Sequence, residues 1–268
     1  MINKYFLAFF LATALVGCGG GGEDLSANMD GSANGTSGGS TTNQSAEGLW
    51  SGYISKGQNM NAVGLILPSG KYYFATGNNY SSLITGEGTT LGSTFNSSKS
   101  FYDPDGLFVS SDGKISGTVT TKGNLNAVFG KSNANSSLAY LKSYGSTPTI
   151  SNLFGKAFSS LYSPSTSFTF PNQLDEEDQL ETSFLQDNCY FSAKIGNIAN
   201  NENNYFSMSL SVYDQPDKIG ACKKITDPSF PINGYAVPWT NNNTPHLILI
   251  GVDSNQSNWF SSVFKLKD

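Results

Sequence analysis

Cys18 is the residue whose surroundings define a chemistry most clearly. It follows the single early charge Lys4, the apolar run Tyr5–Leu15 and the small residue Gly17. A charged start, a short apolar core and small residues before the cut form a secretory signal, and a Cys in the first mature position makes it a bacterial lipoprotein signal. The pattern predicts that residues 1–17 are removed and that acyl chains on Cys18 anchor the mature chain to a membrane. The alternative is an ordinary secreted protein in which Cys18 is incidental.

Two further cysteines, Cys189 and Cys222, lie in the body of the chain. An exported chain meets an oxidising compartment, so a disulfide between them is the economical interpretation. The alternative is a Cys nucleophile or a pair of thiolate metal ligands, and either would need histidine partners. The chain has one histidine. We therefore expect the disulfide, and neither a metal nor a cofactor.

His246 and an acidic run are the remaining candidates for catalysis. His246 precedes an apolar run and could act as a general base, although a lone His at a strand edge is more often structural. The acidic run contains Asp175, Glu176, Glu177, Asp178 and Glu181. It could hold Ca²⁺ or suggest glycosidase chemistry, but it lacks the EF-hand spacing, and glycosidases need carboxylates facing across a cleft. A solvated loop is the simpler interpretation.

Aromatic side chains give the main hint of a binding surface. They make up 13% of the chain and occur in neighbouring pairs, such as Tyr72 with Tyr73 and Trp259 with Phe260. Adjacent residues of a strand face opposite sides, so each pair sends one ring inward and one outward. We expect Tyr72, Tyr73 and Trp259 to contribute to a face that binds a glycan or a protein. The alternative is a well-filled barrel with an aromatic exterior.

The charge inventory argues against nucleic acid as a partner. All fifteen basic residues are Lys, none is Arg, and the formal net charge is −5. Arg supplies the bidentate contacts that usually read phosphates and guanine edges. The acidic balance also disfavours docking onto anionic lipid by charge alone.

The elements that must position these residues are short strands. A Gly, Ser and Asn-rich tether spans 18–45, and the rest divides into a first β lobe at 46–145 and a second at 146–268 that carries the disulfide. Runs rich in β-branched and aromatic residues alternate with Gly, Asp and Pro turn signals, which predicts an antiparallel all-β meander forming one or two barrel-like or sandwich-like lobes. The predicted strands are Gly48–Ser55, Ala62–Leu67, Lys71–Thr76, Leu107–Ser110, Lys114–Thr121, Asn124–Phe129, Ser167–Phe170, Cys189–Ile195, Tyr205–Tyr213, His246–Val252 and Asn258–Leu266.

The opener Ala46–Gly52 (AEGLWSG), followed by the segment Gly64–Phe74, resembles a group of proteobacterial outer-membrane lipoproteins with a G-L-W-x-G opener and a barrel-like body. Similar chains carry a paired Cys and a G-Y-A strand in their second half, here at Gly234–Ala236. Gly19 after the lipid-bearing Cys resembles lipoproteins that are sent to the outer membrane. The shape is also distantly similar to the lobes of transferrin-binding and factor-H-binding surface lipoproteins. The resemblance implies an outer-membrane location and brings no catalytic residue.

The sequence thus predicts an outer-membrane lipoprotein, on either face of that membrane, that acts in binding or as an envelope component. Its expected partners are the membrane, through the lipid on Cys18, and a protein or glycan ligand. We do not expect catalysis. The alternative is an envelope hydrolase or glycan-processing enzyme centred on His246 or on the acidic run.

Overall fold

The computed structural model of this protein describes residues 43–55, 57–97, 114–129, 134–147, 149–199, 201–214, 222, 231–255 and 258–267. The predicted signal 1–17, Cys18, most of the tether and the predicted strand Leu107–Ser110 lie outside the described residues. Within the described part, regular structure consists of β-strands and two short 3-10 helices, Lys142–Gly145 and Ile150–Leu153. The prediction of an all-β fold is therefore confirmed. No helix in this part is long and apolar enough to cross a bilayer.

The first lobe is a closed barrel in which each of eight strands pairs antiparallel with the next. The last strand returns to the first, with Tyr140 opposite Trp50 and Asn135 opposite Ser55. Closure leaves no free sheet edge among the described strands of this lobe. Its strands are β1 (Gly48–Ser55), β2 (Asn59–Ile66), β3 (Lys71–Thr76), β4 (Ser82–Leu91), β5 (Thr94–Ser97), β6 (Ile115–Val119), β7 (Asn124–Phe129) and β8 (Ala134–Tyr140).

The second lobe is an eight-stranded antiparallel sheet in the order β10-β9-β16-β15-β14-β13-β12-β11. Its strands are β9 (Ala157–Ser160), β10 (Ser167–Thr169), β11 (Gln179–Gln186), β12 (Cys189–Gly196), β13 (Phe206–Asp214), β14 (Ile232–Asn241), β15 (Thr244–Val252) and β16 (Trp259–Leu266). Side chains join its two edges, because Thr166 Oγ1 donates to Leu185 O at 2.8 Å and Thr182 Oγ1 donates to Thr169 O at 3.3 Å. The sheet therefore curls into a second barrel-like lobe.

Each lobe is filled by its own apolar side chains. Trp50, Phe74 and Phe95 are among the buried residues inside the first barrel. Phenylalanine dominates the second interior, where the rings of Phe168 and Phe264 lie 4.9 Å apart in an edge-on arrangement. Alternating inward residues of small barrels pack in this way. Any ligand site is therefore to be sought outside the two barrel interiors.

A third apolar core lies between the lobes, which belong to one compact unit of the chain. The first lobe contributes Leu65 and Tyr73, and the second contributes Ile248, Ile250 and Val263. The strands that carry these residues are buried on both faces, which explains why parts of β2 and β15 are continuous apolar runs rather than alternating ones.

Glycine allows the closest backbone approach in each lobe. A Cβ on Gly52 would overlap the carbonyl oxygen of Ser137 on β8, where the first barrel closes. A Cβ on Gly234 would overlap the carbonyl oxygen of Ile250 on β15. Both positions therefore require the absence of a side chain.

The chain enters the first barrel through residues that are bonded to two of its turns. Gln44 N donates to Gly92 O at 2.8 Å, and Thr121 N donates to Gln44 Oε1 at 2.8 Å. Ser45 N also donates to Thr121 Oγ1 at 2.8 Å. The β4–β5 and β6–β7 turns that supply these partners lie at the end of the barrel where β1 begins. The first described residues are therefore fixed at this end of the barrel.

Candidate functional site

The candidate site is a cleft of about 410 Å³ where the connector between the lobes meets the β14–β15 hairpin. The connector supplies one wall through residues between Ser143 and Lys156, and β14 and β15 supply the other. Hydroxyl and amide groups dominate the polar part of the lining, from Ser143, Ser146, Thr147, Thr149, Asn152, Asn204 and Thr240. We call this site the junction cleft. Its volume falls within the range of small-molecule sites.

Trp239 and His246 lie against each other at the base of the junction cleft. They are cross-strand partners on β14 and β15, with ring centroids 4.9 Å apart and planes inclined by 34°. His246 Nδ1 lies 2.8 Å from the carbonyl oxygen of Thr244, so this nitrogen carries the proton and donates. Nε2 is therefore the ring nitrogen that remains to accept a hydrogen bond from a ligand.

Burial sets the charge of His246. Loss of solvent lowers the pKa of His246 below its usual value of 6.5, and the nearby Lys265 lowers it further, while the bond to Thr244 acts in the opposite direction. Lys265 is the cross-strand partner of His246 on β16. The imidazole is consequently neutral at pH 7.

The walls of the junction cleft are held by hydrogen bonds that cross between elements. Asn204 N donates to Tyr144 O at 2.8 Å, and Asn204 Nδ2 donates to Pro238 O at 3.3 Å. Ser146 Oγ donates to Ser143 O at 2.7 Å within the connector. The connector, the start of β13 and β14 are thus joined around the site, which favours a pre-formed shape.

Lys156 supplies a positive charge to the lining of the junction cleft, and none of the described lining residues is an Asp or a Glu. A Ser-His-Asp triad needs a carboxylate bonded to the imidazole, and here a backbone carbonyl occupies that position. Glycoside hydrolysis requires two carboxylates that face each other across the site, and the described lining contains none. The arrangement can bind polar groups but lacks the usual acid and base partners.

Next to the junction cleft, hydrogen bonds to Glu47 connect three parts of the chain. Tyr144 Oη donates to Glu47 Oε1 at 2.9 Å, and Asn203 Nδ2 donates to the same oxygen at 3.2 Å. Tyr144 also stacks on Tyr205, with ring centroids 6.0 Å apart. Burial, and then the bonded Glu47 carboxylate, raise the pKa of Tyr144 well above 10.0. Sequence reasoning missed Glu47, although it directly precedes the G-L-W-x-G opener.

The structure contains the predicted disulfide between Cys189 and Cys222, with the two Cα atoms 4.6 Å apart. It joins the first residue of β12 to the segment that follows β13. Cys222 N also donates to Asp214 Oδ1 at 3.2 Å. The prediction of this disulfide is confirmed, and both sulfurs are committed to a structural bond.

The acidic run forms a bonded turn before β11. Asp175 Oδ1 accepts the backbone N–H groups of Glu177 at 2.9 Å and Gln179 at 2.8 Å. Glu177 forms an ion pair of 3.1 Å with Lys194, and Ser192 Oγ donates to Glu181 at 3.0 Å. No group of three or more potential metal ligands occurs among the described residues. In the sheet, β11 is separated from the strand of His246 by β12, β13 and β14, so the two candidate centres do not combine.

The expected ligand face of Tyr72, Tyr73 and Trp259 is a prediction that the structure corrects. Tyr72 lies inside the first barrel, fully buried, and contacts Ser97 Oγ at 3.0 Å through its hydroxyl, and burial raises its pKa to about 12. Tyr73 points out of the barrel but is covered by the second lobe and packs on Tyr235 at 5.5 Å. Trp259 is half-buried against the same core. The rings alternate as expected, but the core between the two lobes covers the outward side.

Comparisons with protein-family models, with curated proteins and with solved structures gave no match to this chain.

Proposed function

We propose that this chain is a lipid-anchored binding protein of the bacterial outer membrane, and that the junction cleft holds a small polar ligand. The proposed anchor is Cys18, on the strength of the signal pattern that precedes it. The tether that follows keeps the two lobes at a distance from the bilayer while leaving them attached. Such a protein retains its ligand next to the membrane without needing any chemistry of its own.

The observation that carries the proposal is the lining of the junction cleft. Seven of the described lining side chains end in a hydroxyl or an amide, and these surround a base formed by Trp239 and a neutral His246. A concave site with an apolar base and a few placed donors and acceptors is typical of ligand recognition. Sugars and short peptides present matching hydroxyl, amide and carbonyl groups. These are the ligand classes that we expect.

The alternative, an envelope hydrolase, receives less support from the same site. The Nδ1 proton of His246 is engaged by Thr244 O, and the described lining offers no carboxylate to stabilise an imidazolium. The acids between Asp175 and Glu181 are engaged in turn and surface contacts on another part of the second lobe. Binding without turnover is the function that this geometry favours.

The proposal can be tested with a substitution that fills the cleft. Asn152 is an exposed wall residue, and Asn152→Trp should obstruct the site without disturbing either core. Asn197→Trp places the same side chain at an exposed position outside the cleft. The purified full-length chain in detergent is screened by ligand-observed NMR against pools of sugars and short peptides. We expect a bound class that Asn152→Trp abolishes and Asn197→Trp preserves. Equal losses in the two variants, or the appearance of hydrolysis products, would contradict the proposal.

A further inference from the structure

The outer surface of the first barrel carries two continuous rows of uncharged side chains, all of them polar except Val128. The first row consists of residues that are cross-strand partners of one another, one on each of β5, β6, β7, β8, β1 and β2. In that order they are Thr94, Thr118, Asn126, Ser137, Tyr53 and Asn61. The second row contains, on each of the same strands, the next outward-facing residue, two positions from the first row. Its members are Asn96, Ser116, Val128, Asn135, Ser55 and Asn59. We call these twelve residues the neutral face. With strands spaced about 4.8 Å apart, each row runs for roughly 24 Å along the barrel surface and, because it crosses six of the eight strands, follows the curve of the barrel.

The neutral face is open to solvent and free of charge. Ten of its residues are exposed, and Ser55 and Asn61 are half-buried. Charged residues make up 13% of this chain, so about one or two charges would be ordinary over twelve positions, and the neutral face has none. Among the described residues, the charged positions nearest in sequence to β6 and β7 are Lys114 and Lys122, and both lie outside the strands. A partner that fits this surface is therefore uncharged where it makes contact.

Hydroxyls and amides form a hydrogen-bonding array on the neutral face. Ser and Thr hydroxyls both donate and accept, and each Asn offers two donors and an acceptor. Tyr53 lies within this array between Ser137 and Asn61 and is 55% exposed. A phenol ring in that position offers a flat apolar surface with a polar tip. Sugar rings present the complementary pattern, with hydroxyls around the edge and C–H groups on the faces.

A protein partner fits the neutral face less well. Energetically important residues of protein interfaces are enriched in Trp, Tyr and Arg, and interface cores are depleted in Ser. The two rows contain a single aromatic residue, Tyr53, and a single aliphatic one, Val128. They supply no cluster of apolar anchors, and no charge to steer a partner.

Part of the neutral face lies on strands that take no part in the core between the lobes, and its second row lies toward the end of the barrel opposite Gln44. β5, β6 and β7 contribute none of their described residues to the core between the lobes, whereas β8 contributes Tyr140 at its last position. β1 and β2 contribute Leu49, Val63 and Leu65. The second row includes Ser55 at the end of β1 and Asn59 at the start of β2, whereas Gln44 is fixed at the opposite end of the barrel. A long molecule can therefore approach the part of the rows on β5, β6 and β7 without meeting the second lobe.

We propose that the neutral face binds an uncharged glycan chain lying across the strands of the first barrel. This site is independent of the junction cleft, and either could exist without the other. Tyr53 stacks on one sugar ring, and the rows of Ser, Thr and Asn bond to the hydroxyls of several successive rings. Because no charge takes part, binding should be insensitive to salt and should strengthen with chain length.

The test uses Tyr53→Ala and a matched control on the second lobe. Tyr213 is also an outward-facing tyrosine and is 53% exposed, so Tyr213→Ala removes a similar side chain from a similar strand surface. Both full-length variants and the wild-type chain are titrated in detergent with glucose and N-acetylglucosamine oligosaccharides, from disaccharides to hexasaccharides, at low and high NaCl. We expect wild-type affinity to rise with length, Tyr53→Ala to lose about tenfold and Tyr213→Ala to match the wild type.

A second variant separates loss of binding from loss of folding. Ser137→Glu introduces a charge at the centre of the first row, and Ser183→Glu does so at an exposed position of β11. We expect only Ser137→Glu to weaken binding, with both variants retaining the thermal transition of the wild type. The proposal is overturned if no oligosaccharide binds, if salt abolishes binding, or if the paired variants behave alike. Titration with a second protein that gives tighter, Tyr53-dependent binding while the sugars do not bind would equally overturn it.

Discussion

Tyr144 donates its phenolic hydroxyl to Glu47 Oε1 at 2.9 Å and thereby joins the connector between the lobes to the residue that precedes β1. Asn203, which precedes β13, donates to the same oxygen at 3.2 Å. One carboxylate oxygen thus accepts hydrogen bonds from two segments that are distant in sequence. The arrangement fixes the connector, and the connector forms a wall of the junction cleft.

Tyr144→Phe removes the hydroxyl and leaves the ring. We expect the free energy of unfolding to fall by about 1–3 kcal/mol, because the lost bond is to a carboxylate and the site is largely buried. Chemical denaturation of the purified chain measures the change. Tyr213→Phe removes an exposed hydroxyl and should change stability by less than about 0.5 kcal/mol. Equal effects in the two variants would show that the Glu47 bond does not stabilise the fold.

Stability should decrease as the pH falls below the usual pKa of histidine. Burial lowers the pKa of His246 from 6.5, so the unfolded chain binds a proton more readily than the folded one. The part of the free energy of unfolding that comes from keeping His246 neutral is fully present above pH 6.5. It is lost as the pH falls through the lowered pKa of His246. Denaturation midpoints measured between about pH 7 and pH 5 should therefore decline in the wild type. In His246→Gln the denaturation midpoint should depend less on pH over this range. An unchanged slope in this variant would show that other groups cause the decline.

Loss of the Cys189–Cys222 disulfide should destabilise the second lobe. The bond closes a loop with a sequence separation of 33. Restricting a loop of this length in the unfolded chain contributes about 3–4 kcal/mol in the chain-entropy model. We expect a double variant, Cys189→Ser with Cys222→Ser, to lose this stability in urea denaturation. Reductant should destabilise the wild type to a similar extent and leave the double variant unaffected. A double variant as stable as the oxidised wild type would contradict this prediction.

Gly52→Ala should weaken the closure of the first barrel. The new Cβ would overlap Ser137 O on β8, so the β1–β8 pair must move apart. Overpacking of this kind costs about 1–3 kcal/mol. Gly145→Ala is the matched control, because the nearest atom to a Cβ there is Tyr140 Oη at 3.9 Å. Thermal unfolding of both variants measures the difference, and a Gly52→Ala chain as stable as the control would contradict the close approach.

Strands with clear alternation and turn residues were predictable from the sequence. β1, β3 and β7 have the predicted bounds, because each alternates or is apolar and ends at turn residues such as Gly70. β8 (ANSSLAY) was missed because its outward residues are small and polar and its inward ones include Ser136. The residue pattern alone did not predict β14, because Gly234 and Pro238 resemble breakers, and only the resemblance placed a strand at Gly234–Ala236 within it. β14 and β15 are joined by a two-residue turn with positive φ at Asn242 and Asn243.

The candidate site could not be predicted, because its parts meet only through long-range packing. The sequence singled out His246 but gave no sign that Trp239 would lie beside it or that Asn152 and Asn204 would form the walls. It predicted correctly that Tyr72 and Tyr73 face opposite sides of their strand. It could not show that the outward side is covered, since Tyr73 packs on the second lobe through residues such as Tyr235, which is more than 150 positions away in sequence.

Metabolic labelling with palmitate is the measurement that tests the lipid-anchored account most directly. Cells producing the wild-type chain or Cys18→Ala are labelled, and the protein is recovered from separated inner-membrane, outer-membrane and soluble fractions. The account predicts a labelled wild-type protein in the outer-membrane fraction and an unlabelled Cys18→Ala protein that is missing from it. An unlabelled wild-type protein in the soluble fraction would contradict the account.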